Sequence, residues 1–193
     1  MIIGTSGPDL SRPRHRWTVE DYHRMAQAGL LGPDCRVELI DGEVVEMAPI
    51  GSRHGGKVNR LLHLLSRLMG DTAVVSAQNP VILGSHDELQ PDIALLRWRK
   101  DFYETAHPTV ADVLLLVEVS DSTLGYDRGV KLSRYALHGV PQVWIVNLRD
   151  RCLEVYRNPG PEGYREAGVH RRGRIDLPGV AGPSMALAEL FPE

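Results

Sequence analysis

Two apolar segments joined by a short helical segment constrain the fold of this chain most. Residues 113–119 and 142–148 are rich in Val, Leu and Ile, which is typical of strands buried on both faces. Between them, residues 127–138 have the pattern of a helix, which ends at Gly139 and Pro141. This order predicts a β-α-β unit with a right-handed crossover, and therefore a sheet covered by helices.

Two amphipathic helices are predicted before this unit. One begins after Thr18, whose hydroxyl suits an N-cap, and ends at Gly29. The other covers residues 52–69, where apolar side chains recur every three or four positions. Its single apolar face must pack against a flat surface, which a sheet provides.

A β-hairpin is predicted between the two helices. Residues 36–40 and 43–47 flank Asp41 and Gly42, a dipeptide preferred in tight turns because both central residues adopt positive φ. Further strands are predicted at residues 72–77, 80–83, 92–96, 152–156 and 164–170, and a final helical turn at 185–190. The element order predicts a mixed α/β fold with a central mixed β-sheet flanked by helices and an N-terminal β-hairpin. We expect a flexible N-terminal arm over residues 1–16 and a single domain over residues 17–193.

Length and apolar patterning exclude several classes of protein. A chain of 193 residues can bury a sizeable core without disulfides or structural metal. The longest aliphatic run, residues 113–117, is far shorter than the ~20 residues that a membrane span requires. The N-terminal segment lacks the pattern of a secretory signal, so we expect a cytoplasmic protein without membrane association. Cys35 and Cys152 are then expected to be reduced, buried, small apolar residues.

The charge distribution leaves nucleic-acid binding open. A formal net charge of −3 argues against a protein that coats nucleic acid through bulk charge. Basic residues nevertheless cluster at residues 12–16, 97–100 and 165–174, where they are candidates for phosphate contacts or for an ordinary solvated surface.

Three acidic residues interrupt the apolar pattern of the predicted strands. They are Glu38, Asp92 and Glu118. Because side chains alternate along a strand, Glu118 shares a face with Leu116 and Ser120 near the C-terminal end of its strand. Open α/β sheets bind ligands at that end. A buried carboxylate requires a paired cation, a metal ion or a proton, so these positions are candidates for a site.

Asp92 and Glu118 on neighbouring strands would offer the hard oxygen ligands that Mg²⁺ prefers. Lys131 lies about one turn into the predicted crossover helix, which packs back over the strand of Glu118. Two carboxylates, a lysine and a divalent cation can hydrolyse a phosphate ester, because the metal activates water and the lysine offsets developing charge. In the alternative interpretation, Lys131 and Glu118 form an ordinary ion pair and Asp92 caps a turn after Pro91.

These residues resemble the PD-(D/E)XK nuclease signature, as Pro91-Asp92 followed by Glu118-Val119-Ser120. From about Thr18 to Phe191 the sequence resembles the Uma family of restriction-endonuclease-like proteins. The segments that carry the resemblance are Val37-Glu38-Leu39-Ile40-Asp41-Gly42-Glu43, Met47-Ala48-Pro49 with His54, Gln90-Pro91-Asp92-Ile93-Ala94, Val117-Glu118-Val119-Ser120, Asp127 with Lys131 and Tyr135, and Gly139-Val140-Pro141-Gln142-Val143-Trp144-Ile145-Val146.

The resemblance implies a restriction-endonuclease-like core and Mg²⁺-dependent hydrolysis of DNA. It implies that Asp92 and Glu118 are metal ligands, aided by the backbone carbonyl of Val119, and that Glu38 is a further acid of the site. The signature's usual lysine, two residues after the glutamate, is replaced here by Ser120. The resemblance then points to Lys131 on the following helix as the catalytic amine.

Further residues, including Ser120, are candidates for accessory roles. His54 can contact a phosphate or carry a proton, or it can be a solvated residue at a helix start. Gln90 precedes the Pro-Asp pair and lies within reach of the site. Tyr135 lies one turn after Lys131 on the same helix face, where packing is the favoured interpretation. Trp144 lies in an apolar strand and is expected in the core.

The favoured function is a Mg²⁺-dependent endonuclease, with Mn²⁺ as a substitute, that acts on DNA as a homodimer. Two other functions stay open. Ser120 and the acidic net charge also fit a catalytically inactive DNA-binding or assembly module of the same fold. A weaker alternative is a metal-dependent hydrolase of a smaller phosphodiester.

Overall fold

The computed structural model describes residues 14–32, 34–178 and 183–192. The helices are α1 (Val19–Gln27), α2 (Ser52–Met69), α3 (Leu124–Tyr126), α4 (Leu132–Leu137) and α5 (Leu187–Leu190), and a π-helical turn (Asp127–Lys131) joins α3 to α4. The strands are β1 (Val37–Ile40), β2 (Glu43–Glu46), β3 (Ala73–Ala77), β4 (Val81–Gly84), β5 (Asp87–Leu89), β6 (Ile93–Arg97), β7 (Val113–Ser120), β8 (Gln142–Asn147), β9 (Cys152–Gly160), β10 (Gly163–His170), β11 (Arg174–Asp176) and β12 (Ser184–Ala186).

A central six-stranded sheet has the order β10-β9-β8-β7-β6-β3. The β7–β8 pair is parallel and the other pairs are antiparallel, so the sheet is mixed, as predicted. The connection between the two parallel strands is α3, the π-helical turn and α4, which we call the crossover helix. The predicted mixed α/β fold with helices on its faces is confirmed.

A second sheet of four antiparallel strands has the order β2-β1-β5-β4, and we call it the small sheet. It begins with the predicted hairpin, whose turn residues Asp41 and Gly42 have φ of 52° and 77°. The main chain before α1 packs on this turn, because Trp17 N donates to Gly42 O at 2.9 Å. A Cβ at Gly42 would lie 2.6 Å from Cβ of Arg16, which leaves room for glycine alone.

Two apolar cores lie on opposite faces of the central sheet. One contains Leu61 and Leu65 of α2 together with Leu115 and Val117 of β7. The other contains Leu116 of β7 and side chains from the small sheet and the crossover helix. Strand β7 is therefore buried on both faces, and its alternation sends Glu118 towards the crossover helix.

Several details differ from the sequence-based predictions. Strands β5 and β11 were missed, because each is short and rich in charged residues. The predicted turn at residues 185–190 is strand β12 followed by α5. Cys152 is buried as expected, but Cys35 is exposed, because it lies in the loop before β1 and not in the core. No helix in the described part of the chain combines the length and apolarity needed to cross a membrane.

The predicted N-terminal arm falls mostly outside the described residues. Arg14 and Arg16, at its end, form ion pairs with Glu43 and Asp41 of the hairpin. The division into an arm and one domain stays a prediction.

A buried ion pair holds the crossover helix to the small sheet. Asp87 of β5 is 1 % exposed and accepts from Arg134 Nε at 2.9 Å and from the Asp41 amide at 2.8 Å. His138 Nε2 lies 3.0 Å from the other carboxylate oxygen. Burial alone would raise the pKa of Asp87, but hydrogen bonds from Arg134, Asp41 and His138 lower it below its ordinary value. The carboxylate is thus stabilised in its charged form.

We expect Asp87→Asn to lower the free energy of unfolding by roughly 3 kcal/mol at pH 7, because it leaves Arg134 with only the exposed Asp41 as an ionic partner. The folded-state pKa of Asp87 is lowered, so its contribution is present above the unfolded pKa of about 3.9 and is lost as pH falls through the folded pKa. Urea unfolding at several pH values should show the difference between wild type and variant shrinking below about pH 4. A difference that is constant with pH would contradict this account.

Candidate active site

A cleft of about 430 Å³ lies where the two sheets, α2 and the crossover helix meet. Its walls include the end of β7, the residue before β6, the start of α2 and the loop after β2. Among the residues singled out from the sequence, the lining includes Glu38, His54, Gln90, Asp92, Glu118, Val119 and Lys131. Ser120 and Tyr135 are fully buried beside it.

Lys131 bridges the two sheets at the floor of the cleft. Its Nζ lies 3.2 Å from Glu118 Oε1 of the central sheet and 3.2 Å from Glu38 Oε2 of the small sheet. The three side chains are about 95 % buried. The backbone amide of Gln90 donates to Glu38 Oε2 at 3.1 Å and holds that carboxylate in place. Lys131 therefore reaches the strand acid from the helix, as the resemblance implied.

Tyr135 does more than pack. Its hydroxyl donates to Glu118 Oε1 at 2.5 Å, one helical turn after Lys131. Both hydrogen bonds fall on the same oxygen, and Glu118 Oε2 receives none from the described residues. The packing interpretation was therefore incomplete, because a buried tyrosine hydroxyl requires a polar partner.

Asp92 lies at the cleft beside Glu118 and is held from three elements. Its Oδ2 accepts from the Val119 amide at 2.8 Å and lies 2.9 Å from His54 Nε2. Its Oδ1 accepts a longer bond of 3.3 Å from Gln78. These contacts run to β7, α2 and the loop after β3, so Asp92 links the walls of the cleft.

Ser120, which occupies the position of the usual lysine, faces the start of the crossover helix. Its hydroxyl and that of Thr123 each donate to Asp127 Oδ2 at 2.7 Å. Asp127 lines the cleft and is buried. Burial raises the pKa of Asp127, and the bonds from Ser120 and Thr123 oppose this effect.

The site is richer in acids than in bases. Burial raises the pKa of the Glu118 carboxyl, an effect that Lys131 opposes and Asp92 reinforces. Burial alone would lower the pKa of Lys131, but Glu118 and Glu38 raise it above its ordinary value. The hydrogen bond to Asp92 raises the pKa of His54. Carboxyls with raised pKa values beside charged amines indicate a site that can stabilise a further cation.

The donor set fits a hard divalent cation. Among the described residues, Glu118 Oε2 accepts no hydrogen bond and Asp92 Oδ1 accepts only a long one. Each carboxylate can therefore offer one oxygen to a metal ion. Two other buried polar atoms of the cleft lining, His54 Nδ1 and the Tyr126 hydroxyl, have no hydrogen-bond partner within the described ranges. Since buried polar atoms are normally paired, these atoms are available to a ligand or its water.

Sequence reasoning missed several residues of the cleft as site candidates. They are Arg36, Arg53, Gln78, Tyr126 and Asp127. Asp127 belonged to a matching segment and opened the predicted helix, but no role in the site was assigned to it. Gln78 lies in a loop and has φ of 53°, and no local pattern indicates that it contacts Asp92. The basic segments 97–100 and 165–174 do not line the cleft.

We expect Lys131→Met to lower the free energy of unfolding by about 3–5 kcal/mol, because it leaves Glu38 and Glu118 buried without their cation. The double variant Lys131→Met/Glu118→Gln should recover part of this loss, because one of the two buried charges is removed as well. Urea unfolding of the two single variants, the double variant and wild type measures the coupling. Strictly additive losses would show that Lys131 does not interact with Glu118.

Comparison with known proteins agrees with this architecture. A family model described as "Putative restriction endonuclease" matches residues 19–188. The crystal structure of a "putative nuclease belonging to DUF820" from Anabaena variabilis superposes with a TM-score of 0.65 at 17 % identity. The match covers 80 % of this chain and 89 % of that one, and at this identity it shows a shared fold. A search of curated proteins found no match. With most of its length matched, the chain belongs to the Uma2 family of restriction-endonuclease-like proteins.

Proposed function

We propose that this chain is a Mg²⁺-dependent endonuclease that hydrolyses phosphodiester bonds of DNA, and that Mn²⁺ can substitute. The observation that carries the proposal is that Asp92, Glu118 and Lys131 meet in one cleft although they lie far apart in sequence. The family and the nuclease fold support hydrolysis of a phosphodiester as the reaction class.

Asp92 and Glu118 would hold the metal ion through their spare oxygens, with the backbone carbonyl of Val119 as a further ligand. A bound ion polarises the phosphoryl group and lowers the pKa of a coordinated water. Asp92 is oriented for this role by the Val119 amide and His54, and Glu118 by Tyr135 and Lys131.

Lys131 would orient the attacking water and offset the negative charge that develops on the phosphoryl oxygens. Glu38 is a positioning residue, because it holds the ammonium in place and is itself held by the Gln90 amide. The contact between Lys131 and Glu118 compensates for the replacement of the usual strand lysine by Ser120, because an amine still reaches Glu118. This favours catalysis over an inactive module of the same fold.

The mouth of the cleft suits a phosphate backbone. Arg36, Arg53 and His54 contribute basic groups to its lining. Helix α2 begins there, and its N-cap, Gly51, provides no side-chain hydrogen bond, so the first amides of the helix are free to bind an anion. We propose that one DNA phosphate lies at this helix start while the next enters the acidic floor.

We expect Asp92→Asn and Glu118→Gln each to lower the rate of Mg²⁺-dependent plasmid nicking at least about 100-fold, because each removes a charged ligand. Asp176→Asn, at an exposed acid of β11, serves as the matched control and should nick at the wild-type rate. Calorimetric titration of Mg²⁺ and Mn²⁺ on the same samples measures metal binding separately from turnover.

A nicking rate that is unchanged in both variants would contradict the assignment of Asp92 and Glu118 to the active site. Metal binding with DNA binding of marked salt dependence, and no cleavage, would favour the inactive module. Turnover of a small phosphodiester, such as bis(p-nitrophenyl) phosphate, without cleavage of DNA would favour the third function. The first outcome overturns the assigned site, and the other two overturn the proposed DNA nuclease.

We further propose that the protein acts as a homodimer in the cytoplasm, because two sites related by a two-fold axis match the symmetry of a DNA duplex. Light scattering after gel filtration should then give twice the chain mass of 21.4 kDa. A mass of one chain at micromolar concentration would overturn the dimer and leave the nuclease proposal unaffected.

A further inference from the structure

A second group of metal-ligating side chains lies outside the cleft. His23 of α1, Glu88 of β5 and His107 from the loop after β6 place one ligand atom each within 4.8 Å of one another. These residues do not line the cleft described above. We call this group the His-Glu-His cluster. It comes from three separate elements, which is typical of a site assembled by folding.

Glu88 is the buried member of the cluster and has little to balance its charge. Its side chain is 5 % exposed, and the described residues give it one hydrogen-bond partner, His23 Nε2 at 2.6 Å. Neighbouring Asp87, whose side chain points to the other face of the strand, is by contrast paired with Arg134 and His138. A buried carboxylate with a single imidazole partner is costly unless a further cation approaches it.

The main chain holds His107 beside Glu88. Ile82 and Glu88 are cross-strand partners on β4 and β5, so their side chains share a face of the small sheet. Ile82 N donates to Pro108 O at 2.9 Å, and Ile82 forms a parallel bridge with Thr109. Pro108 also restricts His107 to an extended conformation. The histidine is therefore placed by backbone contacts, although its ring is exposed.

The loop that carries His107 is itself ordered by hydrogen bonds. Arg99 donates to both carboxylate oxygens of Asp101, at 2.6 and 2.5 Å, and Thr105 donates to Asp101 at 2.8 Å. The Tyr103 hydroxyl donates to Arg97 O at 2.8 Å, which closes the loop against the end of β6. Such internal contacts lower the entropy lost when the loop binds a ligand.

Helix α1 places His23 from the other side. Val19 N donates to Ser85 O at 2.9 Å, and the Tyr22 hydroxyl donates to Val37 O at 3.0 Å. The helix is thereby fixed over β1 and the β4–β5 turn. The ring centroids of His23 and His107 lie 6.0 Å apart, so both imidazoles face the same space.

We propose that the His-Glu-His cluster binds one Zn²⁺ ion, with water as the fourth ligand. Two imidazoles and one carboxylate suit a first-row transition ion, whereas Mg²⁺ prefers oxygen ligands alone. Bonds of about 2.0–2.1 Å in a tetrahedron place ligand atoms roughly 3.3 Å apart. His23 would move slightly away from Glu88 and the exposed His107 would turn inward, while bonds to the ion replace the hydrogen bond between His23 and Glu88.

The ion would tie α1 and the loop after β6 to the small sheet. Strand β5 leads directly to Gln90, whose amide holds Glu38 beneath Lys131. The ion would thus stabilise the sheet that supports the cleft. Its role does not depend on what the cleft hydrolyses.

The test uses the full chain, freed of metal with a chelator and titrated with Zn²⁺ against a chromophoric competitor. Wild type should bind one Zn²⁺ and gain roughly 5–10 °C in melting temperature when free Zn²⁺ is about 100 times Kd. His23→Gln and His107→Gln each remove a direct ligand and should each weaken Zn²⁺ binding at least about 100-fold. Loss of an outer-sphere contact alone already lowers metal affinity roughly 10–100-fold. Both substitutions replace side chains that are partly or largely exposed, so the variants should fold.

Two controls make the assignment specific. His63→Gln, at an exposed histidine of α2, should bind Zn²⁺ as wild type does. Asp92→Asn/Glu118→Gln should also keep the ion, because the cluster is separate from the cleft. Co²⁺ in place of Zn²⁺ should give the visible absorption of a tetrahedral ion, and this band should vanish in His107→Gln.

The proposal is overturned if wild type binds no Zn²⁺, or if His23→Gln and His107→Gln bind it with unchanged affinity. It is equally overturned if the Asp92→Asn/Glu118→Gln variant loses the ion, because the metal then lies in the cleft. None of these results bears on nicking with Mg²⁺, so failure here is distinguishable from failure of the proposed nuclease.

Discussion

The architecture of the cleft depends on one buried ammonium group. Lys131 lies between Glu38 and Glu118, and these two acids belong to different sheets. Desolvating three charges is expensive, and the cost is offset only when all three are held in contact. The position and rotation of the crossover helix on the central sheet are therefore fixed. The position of the small sheet relative to the central sheet is fixed by the same contacts. Arg134 and Asp87 repeat the same arrangement one turn further along the helix. Two buried ion pairs thus fix where the acids of the floor face one another.

The π-helical turn is the local feature that makes this possible. It ends at Lys131, directly before α4. The turn rotates the side chains that precede it about the helix axis, relative to the side chains that follow it. Turns of this kind occur mostly as single-turn insertions within α-helices, and they are frequent at functional sites. Here Asp127 at its start accepts hydrogen bonds from Ser120 and Thr123, while Lys131 at its end points towards Glu118. One side of the helix therefore contributes both an acid and an amine to the same cleft.

Much of the fold was predictable from sequence because its signals are local. Helix α2 begins and ends at the predicted residues, since its apolar period is regular and Gly70 follows it. The hairpin follows from the Asp41-Gly42 pair, whose positive φ angles few other dipeptides adopt. Strand β5 could not be recognised, because two of its three residues are acids whose partners, Arg134 and His23, lie far away in sequence. The same difference between local signals and distant contacts applies to the candidate site. The acids in apolar strands were recognisable, whereas the contacts of Gln78, Tyr135 and Asp127 exist only in the folded chain.

The small sheet has a consequence for the order in which the chain acquires its chemistry. Strands β1 and β2 are adjacent in sequence and can pair early, but β1 must wait for β5, and Glu38 must wait for Lys131, 93 positions later. Pairings between such distant segments close large loops, and the entropy cost of closing them slows folding. A partly synthesised chain that ends before the crossover helix holds Asp92 and Glu118 without the amine between the sheets. The floor of the cleft is therefore complete only after the crossover helix has been synthesised and has docked against both sheets.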